Sequence, residues 1–228
     1  MITSDDLIKL GASKENAEKF APYFEKCFKK YRIDSPKRIA HFLAQVFHES
    51  GKLRYVRELA SGEAYEGRKD LGNTQPGDGK KFRGRGIVQI TGRTNYSNYG
   101  KYIDVDLIKN PELLESPEYA VDSAGWFWTI YKKLKSGKNL NDYADLDNAI
   151  ICTYLINGGF NGFLDRLQLL KKAYEIVGIT DGKDRLNKVI DHMLQNLTKN
   201  RTAGSDKVLF ATYKTKESIL ELKKALKI

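Results

Sequence analysis

Apolar residues recur every three or four positions along most of this chain, the spacing that gathers them on one face of an α-helix. Ala17, Phe20, Phe24, Cys27, Phe28 and Tyr31 predict such a face after a cap at Ser13, with Pro22 expected to kink or split the helix. Ile39, Phe42, Leu43, Val46, Phe47 and Ser50 predict a second helix, with Ser35 as N-cap, Pro36 at the first helical position and Gly51 at the end. The pattern returns in SPEYAVDSAGWFWTIYKKL, where Ser116 and Pro117 repeat the Ser-Pro start, and in LDNAIICTYLINGG and FLDRLQLLKKAYEIVG, both closed by glycine. Beyond Gly178, Leu186, Val189, Ile190, Met193, Leu194 and Leu197 mark an amphipathic helix, followed by a short strand KVLFATY and a basic terminal helix near 216–227.

Between Glu58 and about Thr94 the helical period disappears and glycines accumulate, at 62, 67, 72, 77, 79, 84, 86 and 92. A long ordered loop or small sheet is expected, and such irregular stretches inside a compact domain are usually functional. Within it, GRGIVQIT alternates Val88 and Ile90 with Gln89 and Thr91, which predicts a short strand presenting polar groups to a cleft. Taken together, the pattern predicts a mainly α fold with a long glycine-rich loop or small β element.

Composition narrows the class. The 228 residues (26.0 kDa) suffice for one sizeable core, so a single domain over 1–228 is expected, with 179–228 as a helical extension. The longest apolar run, AIICTYLI, is far short of the ~20 residues that span a bilayer. The first residues, MITSDDLIKLG, carry acids where an export signal has a basic region, so synthesis into the cytosol is expected. Cys27 and Cys152 fall on apolar helical faces and are expected as buried free thiols.

Net charge of +10 favours an anionic partner. Helix-turn-helix, zinc-finger and aromatic-basic signatures are missing, so nucleic acid is not expected and an anionic wall polymer fits as well. His41, His48 and His192 do not cluster with acids or cysteines, and none fits H-E-x-x-H; no metal or cofactor is expected.

Candidate chemistry begins at Glu49, an acid closing an otherwise apolar helix. A carboxyl beside Val46 and Phe47 tends to keep its proton, as a general acid must. Glu58 lies nine positions on; Gly51 interrupts the helix, so the chain can fold back and set two carboxyls across a cleft, as glycoside hydrolysis commonly requires. Glu63, Glu66 and Asp70 compete for the second role on composition alone. Trp126 and Trp128 read as core, and Tyr96 and Tyr99 as sugar-stacking or packing aromatics.

FLAQVFHESGKLRYVRE, FRGRGIVQITGRTNY, INGGFNG and FLDRLQLLKKAYEIVG, in this order from about Ser35 to Gly178, together resemble the glycoside hydrolase family 19 catalytic domain, shared by chitinases and many bacteriophage endolysins. YEGRKDLGNTQPGDG is more similar to the endolysin branch. The resemblance implies Glu49 as general acid, Glu58 as general base on water and Thr91 as a residue that helps hold that water. It implies sugar contacts at Gln89 and Asn95, and cleft-lining roles supporting the acid-base pair for Asn157 and Arg166. Tyr96 and His48 join the expected substrate contacts, His48, beside the acid, as a structural and not a catalytic residue; the fold the resemblance implies is lysozyme-like α+β, with the glycine-rich segment forming the substrate cleft. The plant disulfides are absent and the stretch from Glu58 to Arg83 is short, so extended chitin is not the expected substrate.

These readings imply an inverting hydrolase of the peptidoglycan β-1,4 bond between N-acetylmuramic acid and N-acetylglucosamine, with its carboxyls roughly 6.5 to 9.5 Å apart. A phage lysin held in the host cytosol until release is implied, acting as a monomer. Its basic C-terminal helix either touches anionic membrane or lipopolysaccharide weakly, or closes the fold. A lytic transglycosylase with one essential glutamate, a chitinase acting on N-acetylglucosamine oligomers and a non-catalytic wall-binding module are the rivals.

Overall fold

A computed structural model describes residues 2–159, 161–181 and 184–188. Helices dominate: α1 (Ser4–Lys9), α2 (Lys14–Tyr31), α3 (Pro36–Glu49), α4 (Asp78–Lys81), α5 (Arg93–Ile103), α6 (Pro117–Trp126), α7 (Leu140–Asp145), α8 (Ala149–Asn157) and α9 (Phe163–Ile176). The mainly α expectation holds. Among the described residues the β component is two isolated bridges, Arg57 with Arg85 and Arg85 with Ile90. No described helix is long and apolar enough to cross a membrane. The strand and terminal helix expected after residue 200, and all but Leu186 of the apolar positions named beyond Gly178, lie outside the described residues, as does His192.

The chain divides into two compact units, residues 1–33 with 49–131, and 34–48 with 132–228. In the first, α2 packs on α6. The predicted face of α2 is buried from Ala17 to Tyr31. Pro22 does not split the helix: it lies on the exposed side, as does Glu18, four residues before it, whose carbonyl a proline cannot bond. The helices pack tightly at Gly125, where a Cβ would fall 2.1 Å from the Tyr31 ring and 2.7 Å from Cys27 Sγ. Asp122 ties the same interface, accepting from Lys30 Nζ (2.8 Å), the Tyr31 hydroxyl (2.9 Å) and the Tyr99 hydroxyl (2.8 Å). Trp126 and Trp128 are both buried, as their core reading expected.

In the second unit α3 departs from the single-face expectation, since every residue from Ala40 to Phe47 is buried. A helix buried all round must satisfy its polar side chains internally. Gln45 does so through Thr153 (3.0 Å) and the Arg166 guanidinium, whereas His41 is matched at Nε2 by Asp147 (2.9 Å) but leaves its buried Nδ1 without a partner among the described residues. Ser35 and Pro36 start α3 as expected, with the Ser35 hydroxyl accepting from Arg38 N–H at 3.2 Å. At α6 the cap differs: the Ser116 hydroxyl donates to the Leu113 carbonyl instead of capping. Cys27 and Cys152 are buried free thiols, whose burial pushes both above the usual thiol range.

Of the helices that escaped the periodicity reading, α1 and α7 did so because each is a turn or two set by its cap. Thr3 with Asp6 and Asn139 with Asp142 form capping boxes at α1 and α7. The acids of MITSDD therefore start a helix.

Candidate active site

Glu49 is the last residue of α3 and is half-buried. Directly after it, Ser50 is fully buried; its hydroxyl accepts from Leu53 N–H at 2.8 Å and its carbonyl from Tyr55 N–H at 2.9 Å. Gly51, Lys52 and Leu53 then adopt φ of 57°, 65° and 63°. Three successive left-handed residues, two of them bearing side chains, reverse the chain sharply after Glu49. The sequence announced a break at Gly51 but not that Lys52 and Leu53 would share the left-handed conformation.

Glu58 follows on a segment lying beside residues 84–86. Its N–H donates to the Gly84 carbonyl at 2.9 Å, and Gly86 N–H donates to the Val56 carbonyl at 2.9 Å. The Glu58 carboxylate is clasped from both sides: the Tyr65 hydroxyl donates to Oε1 at 2.9 Å and Gly84 N–H donates to Oε2 at 3.1 Å. Burial and then the bond to Glu58 raise the Tyr65 phenol above its usual value, so the proton stays on Tyr65 and the bond keeps its direction. A Cβ at Gly84 would stand 2.7 Å from Gln89 Oε1 and 3.2 Å from Glu58 Oε2. The bare backbone at Gly84 thus leaves room for a carboxamide and a carboxylate side by side.

The rival acids are committed elsewhere. Glu66 accepts from Gly77 N–H and Gly79 N–H, both at 2.7 Å, and so fastens the loop to α4. Glu63 pairs with Lys80 at 2.7 Å, and Asp70 accepts from Arg68 Nε at 2.7 Å. Around them, buried Asn73 bridges the Tyr65 carbonyl (2.9 Å) and Arg93 N–H (2.8 Å), and Asp78 accepts from Arg93 Nε at 2.8 Å. What looked like unpatterned glycine-rich chain is a loop knitted by side-chain-to-backbone bonds.

GRGIVQIT is not a strand. Gly86 at φ 77° and Gln89 at φ 55° fold it into a tight turn, closed by Ile90 N–H to the Arg85 carbonyl at 2.7 Å and by the reciprocal bond at 3.1 Å. Alternation cannot produce a strand when one of its members takes a left-handed φ. Gln89 is held by Nε2 donating to the Gly86 carbonyl (2.8 Å), the Thr91 hydroxyl donates to the Gln89 carbonyl (2.9 Å), and Asn95 Nδ2 donates to the Thr91 carbonyl (2.8 Å).

Tyr96 corrects the expectation of a sugar contact. It lies on the buried face of α5, fully enclosed, with its hydroxyl donating to the Arg83 carbonyl (2.6 Å) and accepting from Arg85 Nη1 (2.9 Å); burial pushes its pKa up to about 12. Tyr99 is equally buried. For Tyr99 the packing alternative is the one observed; Tyr96 was taken for a substrate contact because α5 was not anticipated, and Gly92, at φ 90°, starts that helix immediately after the turn.

The remaining expected residues belong to the second unit. Arg166 is 1% exposed and donates to Gln45 Oε1 and to the Asn161 carbonyl (3.4 Å), so it does not line a cleft surface but braces α3 against α9. His48 accepts its place from α9 as well: Nδ1 lies 2.6 Å from Asp165 Oδ2, and a Cβ at Gly162 would fall 2.1 Å from its ring. Asn157 ends α8 and is exposed. Glu49, Glu58, Gln89, Thr91 and Asn95 all belong to the first unit. Tyr65 and Gly84 were missed, since nothing in sequence ties a tyrosine seven places on, or one glycine among many, to Glu58.

Residues 32–140 match the family model for class I chitinases of glycoside hydrolase family 19. A glycosyl hydrolase family 19 domain-containing protein of Haemophilus influenzae is 33% identical over 124 residues, 54% of this chain and 54% of its own length. Chitinase 4 of Oryza sativa is 34% identical over 154 residues, 65% of this chain and 52% of its own. Chitinase C of Streptomyces griseus superposes with a TM-score of 0.64 at 19% identity, covering 78% of this chain and 77% of that one, a likeness of fold. Sequence and fold are thus each similar to those of glycoside hydrolases. Over residues 32–140, just under half of its length, the chain is similar to the chitinase-like domain of glycoside hydrolase family 19, and it spans about half the length of these two relatives.

Proposed function

We propose that this chain hydrolyses the β-1,4 bond between N-acetylmuramic acid and N-acetylglucosamine in peptidoglycan, with inversion. The clasp on Glu58 carries the reading: a carboxylate fixed by Tyr65 and Gly84 N–H, beside the Gln89 carboxamide, is oriented as a base that must take a proton from one water. Glu49 protonates the leaving glycosidic oxygen. Because the Thr91 hydroxyl proton goes to the Gln89 carbonyl, its lone pairs are left to accept from that water. Net charge of +10 favours an anionic wall over neutral chitin.

The names of the relatives favour a second reading, hydrolysis of chitin oligomers. Digestion of purified peptidoglycan and of chitin hexamer, with products read by mass spectrometry, separates them. Ordinary reducing ends from peptidoglycan support the proposal, 1,6-anhydro ends indicate a transglycosylase, and cleavage of chitin alone gives the second reading. In cells, an endolysin acts on the wall after release from the cytosol. Residues 215–228 lie outside the described residues; their deletion, read by wall cleavage and by membrane permeabilisation, tests contact with anionic lipid.

A further inference from the structure

The second unit contains a cavity of about 500 Å³ that none of the residues discussed for hydrolysis lines; Lys37, Leu146, Asp147, Ile150, Arg185 and Lys188 form its walls. Lys37, Arg185 and Lys188 share this lining with a single carboxylate, Asp147, which is already engaged. Asp147 Oδ1 accepts from His41 Nε2 (2.9 Å) and from the Tyr174 hydroxyl; Oδ2 accepts from Arg185 Nη1 (2.9 Å) and has Lys37 Nζ at 3.9 Å. Burial opposes its ionisation, but the bonds from His41 and Tyr174 outweigh it and hold Asp147 below the usual carboxylate range. Arg185 Nε is matched to Asp181 at 2.8 Å and Lys37 Nζ reaches the Asp145 carbonyl at 3.2 Å. Lys188 is exposed and makes no ion pair among the described residues. Surplus positive charge therefore stands over an apolar floor of Ile150 and Leu146, the latter 65% exposed.

A neutral sugar would use neither feature, and a bare inorganic anion would leave the floor wet. A ligand with carboxylates and small aliphatic groups uses both. We propose that this cavity binds a short acidic peptide bearing alanyl methyl groups, the chemistry of the stem peptides on peptidoglycan strands, in which respect it rests on the function proposed above. Arg185 and Lys188 take the carboxylates, and Leu146 and Ile150 take the methyls.

The test is titration of the full chain with L-Ala-γ-D-Glu-meso-diaminopimelate-D-Ala, followed by calorimetry. Saturable binding that falls roughly tenfold in Lys188→Glu, with unchanged melting temperature, supports the site; Arg185→Gln should weaken it similarly. Lys101→Glu, on an exposed lysine of α5, should leave binding intact. Absence of saturable binding overturns the proposal, as does an equal loss in Lys101→Glu or displacement of the peptide by inorganic phosphate at matched concentration. The two readings fail separately: a chain that binds the peptide but leaves peptidoglycan uncut refutes the hydrolysis, whereas one that cuts peptidoglycan without binding the peptide refutes this site.

Discussion

α3 and the glycine-rich loop of residues 58–92 each carry one of the two candidate acids, and they place it by opposite means. Glu49 inherits its position from fourteen residues of regular helix, anchored by buried apolar side chains and by the Gln45–Arg166 contact. Glu58 sits in chain with almost no regular structure, and its carboxylate is fixed one hydrogen bond at a time by Tyr65 and Gly84. Helical placement is cooperative and tolerates local change; loop placement depends on individual bonds and on glycines where no Cβ fits. The two acids should therefore respond to different kinds of mutation.

The largest effect expected is on chemistry alone. Glu49→Gln should lower hydrolysis roughly 10²–10⁴-fold, the range of general acid-base catalysis, with an unchanged melting temperature. Full activity in that variant would remove the helix-borne acid from the comparison. Next, Arg166→Ala strands the buried Gln45 carboxamide and should destabilise the fold by about 1–3 kcal/mol in urea titrations, whereas Tyr65→Phe should leave the urea midpoint within error and cut kcat roughly tenfold by freeing the Glu58 carboxylate. If Tyr65→Phe unfolds the protein or Arg166→Ala spares it, the contrast between helix and loop is wrong.

Glycine substitutions sharpen the same contrast within the loop. A Cβ at Gly92 would meet the Leu71 carbonyl oxygen at 2.7 Å, while one at Gly67 meets nothing within 4 Å, although both have positive φ. Gly92→Ala should thus cost clearly more than Gly67→Ala, by about 1–3 kcal/mol, in chemical denaturation. The smallest effect concerns pH. The Arg93 bond, opposed by burial, holds Asp78 below the usual carboxylate range, so its stabilisation is complete above the unfolded value of about 4 and is lost as pH falls through the folded value. Arg93→Met should lower the urea midpoint at pH 6, and the gap from wild type should narrow at pH 3; an equal gap at both values would show that Asp78 does not draw its stabilisation from Arg93.

Much of the helical architecture could be read directly, because period and caps are local. Ser13, Ser35 with Pro36, and Gly158 mark ends that the structure keeps. The candidate acids were legible as well, though only Glu49 through its position on a helix; on composition Glu58 stood among four acids and the resemblance alone singled it out, while the loop shows Glu63, Glu66 and Asp70 bound to other partners. Tyr96 was misread for a related reason, since without α5 an aromatic residue beside a turn has no inside or outside.

The spacing of apolar residues and the caps determined a mainly helical chain with an acid at the close of α3, and the order of its motif blocks carried the resemblance to a glycoside hydrolase, because each of these is a property of neighbours along the chain. Tertiary structure alone decided which carboxylate Tyr65 and Gly84 would clasp, that Gln89 would turn left-handed and abolish the expected strand, and that Arg166 would brace the interior. Those outcomes depend on groups brought together from distant positions, where one hydrogen bond or one forbidden Cβ outweighs any local preference.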